Sequence, residues 1–214
     1  MSYSLKGKNV LITAGPTREY IDPVRYISND SSGRMGFAFV LAARKLGAKV
    51  TLICGPVNNP PLKYLSVISA QEMFAAVKKH YKQADIVIMA AAVADFRPKK
   101  CSKNKIKKTY ALKHLSTYAL QLVPNPDILA WLGSHKRNGQ MLIGFALETE
   151  NLVKNARKKL KKKNCDLIVA NDAEVIGKEA GSALIIDHAG IVKKIGRQSK
   201  QGIAKAVFSF IQNC

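Results

Sequence analysis

Short polar residues, Asn29-Asp30-Ser31-Ser32-Gly33, run directly into an apolar stretch that starts at Arg34. Where a helix begins, such residues leave backbone N–H groups free, and the partial positive charge of a helix N-terminus suits a phosphate. A plain N-cap accounts for the same letters, because Ser and Asp are ordinary capping residues. A second cluster, Met89-Ala90-Ala91-Ala92-Val93-Ala94-Asp95-Phe96-Arg97-Pro98, puts small residues and then an acid after an apolar run. Small residues at a strand's carboxyl end let a ligand approach the backbone closely. Asp95 could hold a magnesium ion on a triphosphate, since Mg²⁺ takes one or two carboxylates together with phosphate oxygens; a loop aspartate is also a common turn former. The third cluster lies between Glu148 and Lys163. At roughly 100° per residue, Leu152, Val153, Ala156 and Leu160 form one apolar stripe; Lys163 falls inside that arc and Lys159 on its edge. Lys154, Lys158, Lys161 and Lys162 point elsewhere. A lysine on the buried side either snorkels out to water or pairs with an anion, which makes Lys159 and Lys163 the ligand candidates of the run.

These residues need a frame to hold them. Asn9 to Ala14 is a short apolar run stopped by Gly15-Pro16, the pattern of a buried strand ending in a turn. A long loop follows through Gly33, then a buried helix from Arg34 to Leu46 closed by Gly47. Lys49 to Cys54 and, more weakly, Leu65 to Ser69 read as strands, Gln71 to Lys82 as an amphipathic helix, and Asp85 to Ala91 as a fourth strand. The second half continues with a helix over Asp127 to Ser134, a strand over Met141 to Ala146, a helix over Glu148 to Lys163 and a strand over Asp166 to Ala170. Ser182 to Asp187 and Ile191 to Ile195 read as a hairpin around His188-Ala189-Gly190, and Gln201 to Gln212 as a closing helix.

Such alternation means βαβ units: an α/β, Rossmann-like, mostly parallel sheet with helices on both faces, and ligands at the carboxyl ends of the first and fourth strands. Residues 97 to 123 interrupt the rhythm with two β-leaning stretches, Ile106 to Leu112 and Thr117 to Val123, in place of a crossover helix. An insertion of that length is expected to be a lid, a binding flap or a dimerisation arm. No internal repeat or linker divides the chain, so residues 1–214 are expected to form one domain.

Hydrophobic residues make up 47% of the 214 and charged residues 23%, an ordinary globular balance. No apolar stretch approaches the roughly 18 residues that span a bilayer, and no signal-peptide core precedes the first strand; the expectation is a soluble, cytoplasmic protein without a membrane role. Cys54, Cys101, Cys165 and Cys214 have no metal or disulfide spacing, which fits reduced thiols. The net charge of +21 favours polyanionic partners. Arg97, Lys99, Lys100, Lys103, Lys105, Lys107, Lys108 and Lys113 crowd a stretch that has no acid between Asp95 and Asp127.

The letters also match a known family. Gly15-Pro16-Thr17-Arg18-Glu19, Asp22-Pro23-Val24-Arg25-Tyr26-Ile27-Ser28-Asn29 and Ser31-Ser32-Gly33-Arg34-Met35-Gly36 closely resemble the opening of bacterial phosphopantothenate–cysteine ligase. Ala90-Ala91-Ala92-Val93-Ala94-Asp95-Phe96-Arg97, Lys105-Ile106-Lys107-Lys108, Asn125-Pro126-Asp127-Ile128, Gly144-Phe145-Ala146-Leu147-Glu148-Thr149 and Ala170-Asn171-Asp172 follow in family-like order across nearly the whole chain. The resemblance implies a CTP-dependent ligase: the phosphopantothenate carboxylate attacks the α-phosphate of CTP, pyrophosphate leaves, and the cysteine amine displaces CMP from the acyl-cytidylate. It implies that Asn29 handles the acyl-cytidylate during amine attack. Ser32, Gly33 and Arg34 would cradle the substrate phosphate, with Gly15 and Arg25 also on the substrate side. Lys105, on the flap, would stabilise the α-phosphate, and Asp95 would hold Mg²⁺. Met89, Ala90, Ala91, Pro126, Asp127, Ile128, Leu129 and Phe145 would form the nucleotide pocket, with Lys159 and Lys163 on the triphosphate. Members resemble homodimers whose flap reaches the partner's site. In many bacteria the ligase is fused behind a flavin-dependent decarboxylase, a functional partner; nothing here resembles that half, so neither flavin nor decarboxylation is assigned to this chain.

Two other classes compete. An NAD(P)-dependent oxidoreductase shares the fold, but Ala14-Gly15-Pro16-Thr17 is not G-x-G-x-x-G and Cys54-Gly55 supplies no acid for a ribose hydroxyl. A basic nucleic-acid-binding protein would suit the charge, yet the basic runs lack interleaved stacking aromatics apart from Tyr110.

Overall fold

The structure, a computed structural model, describes residues 4–58, 60–107, 119–148, 150–172, 180–190 and 192–212. Asn9–Ala14 forms β1, Arg34–Lys45 forms α1 and Lys49–Cys54 forms β4, with a hairpin of Arg18–Tyr20 (β2) and Tyr26–Ser28 (β3) between β1 and α1. Leu65–Ser66 (β5), Ala70–His80 (α2) and Ile86–Met89 (β6) complete the first half. Phe96–Pro98 (β7) and Leu122–Pro124 (β8) pair as an antiparallel ribbon. The second half runs Ile128–His135 (α3), Met141–Glu148 (β9), Leu152–Lys162 (α4), Leu167–Asp172 (β10), Ala180–Asp187 (β11), Val192–Ser199 (β12) and Lys200–Ile211 (α5).

Among the described residues the main sheet has the order β12-β11-β10-β9-β6-β1-β4-β5. β1 is parallel to both β4 and β6, and β6, β9 and β10 continue parallel; β11 and β12 join antiparallel. Alternation along the strands sorts the core onto two faces. Val10, Ile12 and Ala14 belong to the cluster on the face covered by α1 and α5, whereas Leu11 belongs to the one that holds Met73 of α2, Leu132 of α3 and Leu160 of α4. A strand buried on both faces has no polar side to show, which is why these strands read as continuous apolar runs. The expected Rossmann-like α/β architecture is the observed one. The chain leaves β1 towards β4 and leaves β6 towards β9, so the crevice between β1 and β6 is the topological switch point where open α/β sheets bind ligands.

Several boundaries differ from expectation. The long loop before α1 holds the β2–β3 hairpin, whose strands are too short for a periodic signal and are fixed by tertiary anchors: Arg18 N–H donates to Ile68 O at 2.8 Å, and buried Glu19 accepts from Ala70 N–H at 2.8 Å. The third strand shrinks to Leu65–Ser66, because only Ile53 and Cys54 offer it a register. β9 runs on to Glu148 and α4 starts at Leu152, because Leu147 and Glu148 still have partners in Asn171 and Asp172. Of the stretches expected at 106–112 and 117–123, the central part falls outside the described residues; Leu122 and Val123 lie in β8, and Lys99 N–H bonds Gln121 O at 2.9 Å just beyond the last pair of the ribbon.

Candidate active site

The cleft at the carboxyl edge begins with α1. An added Cβ at Gly36 would lie 2.5 Å from Ala14 Cβ, so this glycine lets α1 settle against β1 and sets its N-terminus over the strand's end. Gly33 is the N-cap, with φ 74°, a left-handed conformation that disfavours side chains. No side chain caps the helix and its first turn holds no acid. The plain Ser or Asp cap is therefore not the arrangement adopted, and the first-turn N–H groups lie at the edge of an open cleft of ≈ 620 Å³. Asn29, Ser32 and Arg34 line this cleft together with Arg18, Tyr26 and Asn58. Gly15, also at positive φ, lies directly behind: a Cβ on Gly33 would come within 3.2 Å of Gly15 N.

The ends of β1 and β6 are stitched together beyond their last residues. Ala92 N–H donates to Gly15 O at 2.9 Å, Ala91 N–H to Thr13 Oγ1 at 3.2 Å, and Ala94 N–H to Thr17 Oγ1 at 3.0 Å. Met89 is buried, and Ala90 and Ala91, which follow it at the end of β6, are half-buried. Asn29 Nδ2 donates to Val93 O at 3.1 Å, which ties the α1 cleft to this crevice. Asp95 is exposed, and its backbone O accepts from Asn125 N–H at 2.8 Å while Asn125 Nδ2 donates to Ala94 O at 2.8 Å. Asn125 thereby links the β6 end to the loop that opens α3. Among the described residues no group of three His, Cys, Asp or Glu side chains could hold a metal alone. Asp95 fits Mg²⁺ only as one carboxylate beside phosphate oxygens.

At α3, Asp127 is the N-cap and accepts from Ala130 N–H at 2.9 Å. Lys163 Nζ reaches across from the end of α4 to donate to Asp127 Oδ2. Burial pushes the Asp127 carboxyl up, but the Lys163 hydrogen bond, the Ala130 N–H and the charges of Lys163 and Lys159 outweigh it and hold the group below its ordinary value. Lys159 and Lys163 are half-buried, while Lys154, Lys158, Lys161 and Lys162 are exposed, the division that the helical-wheel argument anticipates. Pro126 precedes the cap half-buried; the Ile128 and Leu129 side chains pack into the core, leaving their backbone as the part a ligand could meet. The Phe145 ring is half-buried on the α1 face of the sheet, edge-on to Phe39 with centroids 5.5 Å apart, whereas Ile128 and Leu129 pack on the other face.

Arg25 and Lys105 belong to a fourth group. Arg25 is ion-paired with Asp22, and its Nη2 donates to Ile106 O at 2.9 Å, so the hairpin grips the flap beside exposed Lys105. Asp22, Thr13, Thr17 and Asn125 organise the site and were not among the candidates. Asp22 and Asn125 had a local signal, since Asp-Pro and Asn-Pro initiate turns. Cys54 and Cys165 take no part: burial pushes their thiols up to about 11 and about 12, and at Cys165 the neighbouring Asp166 adds to the rise.

The model of the DNA/pantothenate metabolism flavoprotein C-terminal domain family matches residues 5–214. The chain belongs to that family. It is 42% identical over 211 residues to the Coenzyme A biosynthesis bifunctional protein CoaBC of Borreliella burgdorferi, covering 97% of this chain and 53% of the relative. It is 49% identical over 171 residues to the same-named protein of Escherichia coli K12, covering 78% and 42%. The crystal structure of the C-terminal domain of a Coenzyme A biosynthesis bifunctional protein CoaBC superimposes with a TM-score of 0.82 at 41% identity, covering 99% of this chain and 97% of that one. The chain thus spans about half the length of the curated relatives it matches and nearly all of the solved domain. As a DNA/pantothenate metabolism flavoprotein C-terminal domain, it carries the α1 cleft, the β1–β6 crevice and the α3–α4 ion pair on one continuous fold.

Proposed function

We propose that this chain is a phosphopantothenate–cysteine ligase that acts as one domain in coenzyme A biosynthesis. The observation that carries the reading is the N-terminus of α1, which has no side-chain cap and opens on the cleft next to Asn29. An anion there meets backbone N–H groups and the positive end of the helix, with Ser32 and Arg34 beside it. The similarity to Coenzyme A biosynthesis proteins supports the identity of the substrate.

A carboxylate is a poor acylating agent until it gains a leaving group. In this reading CTP supplies one: the phosphopantothenate carboxylate displaces pyrophosphate, and the cysteine amine then displaces CMP. Lys105 balances the charge that builds on the α-phosphate, and such preorganised stabilisation is among the largest contributions to acyl activation. Lys159, Lys163 and the α3 N-terminus take the triphosphate end, and Asp95 supplies one carboxylate to Mg²⁺ on the phosphates. Asn29, tied to Val93 and lining the α1 cleft, sits between the phosphate cradle and the crevice, in line with a role at the reacting acyl group.

A homodimer belongs to the same reading. Phe96 and Leu122 on the ribbon, with Val24 and Tyr26 on the hairpin, are large, exposed and apolar, a combination that marks interaction surfaces. A flavin-dependent decarboxylase is the expected functional partner, in a cytoplasmic setting. No helix among the described residues is long and apolar enough to cross a membrane. Asn29→Asp tests the chemistry. The variant should release pyrophosphate from CTP and accumulate acyl-cytidylate, detected by mass spectrometry; unimpaired amide formation would remove Asn29 from the second step.

A further inference from the structure

Asp22 is completely buried, yet it is not buried for want of partners. Its Oδ1 accepts from Val24 N–H at 2.9 Å and Arg25 N–H at 2.8 Å, an Asx turn that closes the loop between β2 and β3. The turn leaves Oδ2 over. That oxygen accepts from Arg25 Nε at 3.0 Å, from Arg25 Nη2, and from Ile106 N–H at 3.1 Å, 84 residues along the chain. Arg25 Nη2 then donates to Ile106 O at 2.9 Å. Both backbone polar groups of Ile106 are therefore held by one ion pair. Four residues earlier, Ser102 N–H donates to Ile21 O at 2.9 Å. The segment is fastened at two points to a hairpin that is itself fastened to α2, and exposed Lys105 lies between them.

A buried carboxylate is tolerated when its charge and lone pairs are matched, and removing one partner leaves an uncompensated charge. The Arg25 hydrogen bond outweighs the burial that would raise the Asp22 carboxyl, and with the three backbone N–H groups it holds the group far below the usual carboxylate range. Asp22 stays ionised at any pH at which the enzyme would work. A fold that needed only the turn would need only Oδ1.

We propose that Asp22 is a positioning residue, which through Arg25 and the Ile106 backbone fixes where the neighbouring Lys105 is presented to the reacting phosphate. The part concerning phosphate rests on the ligase reading; the fastening does not.

Asp22→Asn keeps the size of the side chain and removes the charge. Limited trypsin digestion of the full chain reads the fastening directly. The Lys105–Ile106 bond should be cut at least ~10-fold faster in the variant, while sites in α1 and α5 keep the wild-type rate and the melting temperature stays within a few degrees. Pyrophosphate release at saturating CTP should fall at least ~10-fold, a size typical of a misplaced catalytic group, with KM for CTP changed much less. Arg25→Met, which removes the Ile106 O contact and unpairs Asp22, should expose the same bond to trypsin. Wild-type cleavage at Lys105–Ile106 in folded Asp22→Asn would overturn the proposal, and so would faster cleavage at every site in step with a lowered melting temperature, since that marks a general anchor. Should the wild type release no pyrophosphate, the ligase reading fails, and the digestion still decides the fastening.

Discussion

At the scale of single residues, the groups expected to bind ligands separate by what surrounds them. Lys163 was singled out because a lysine on an apolar stripe needs an anion, and the anion it meets within the chain is Asp127. Asn29, Ser32 and Arg34 were read from letters that suit phosphate, and they line one cleft. Asp22 was legible as a turn and not as an anchor, because Oδ2 finds Ile106 through the fold and not through the sequence. The surroundings of another residue are likewise set by the fold. Asn171, 9% exposed at the carboxyl end of β10, has the buried Oδ1 that lacks a hydrogen-bond partner among the described residues. A buried acceptor without a donor costs on the order of 1–3 kcal/mol, whereas an apolar group of the same shape does not. Asn171→Leu is therefore expected to melt at the wild-type temperature or above it, with a gain of up to about 1 kcal/mol. A loss of that size in thermal denaturation would mean that Oδ1 is satisfied in solution.

At the scale of elements, period and punctuation were good guides and short pieces were not. β1, β4 and β6 announce themselves as apolar runs because they are buried on both faces, and α4 announces its inward face through Ala156 and Leu160. The β2–β3 hairpin has three residues per strand and could not be read from alternation; Glu19 and Arg18 hold it from outside. The start of α1 is the element on which the site depends most. Its N-cap conformation belongs to glycine, and a methyl group there would come within 3.1 Å of the Phe37 ring and 3.2 Å of Gly15 N. Gly33→Ala should destabilise the chain by about 1–2 kcal/mol through the left-handed backbone alone. It should also raise KM for phosphopantothenate, because the first-turn N–H groups can no longer keep their place. An unchanged KM in steady-state assays would locate the phosphate elsewhere.

At the scale of the molecule, one sheet edge gathers what the chain scatters. The α1 cleft, the adjacent parallel strands β1 and β6 and the Asn125 link to α3 meet at the topological switch point, and they come from positions 9 to 127. The parallel order was legible because βαβ alternation permits few alternatives. The excess of positive charge suits substrates that bring two sets of phosphates to the same edge, and the basic flap adds to that field. The Phe145 ring, half-buried against Phe39, takes its face of the sheet from alternation along β9.

The measurement closest to the central claim is pyrophosphate release from CTP by the wild-type chain with phosphopantothenate, with and without cysteine, and again with ATP in place of CTP. The account predicts release that requires phosphopantothenate, is supported by CTP in preference to ATP, and rises to steady turnover when cysteine is added. Folded protein with magnesium present that releases no pyrophosphate from either nucleotide would contradict it.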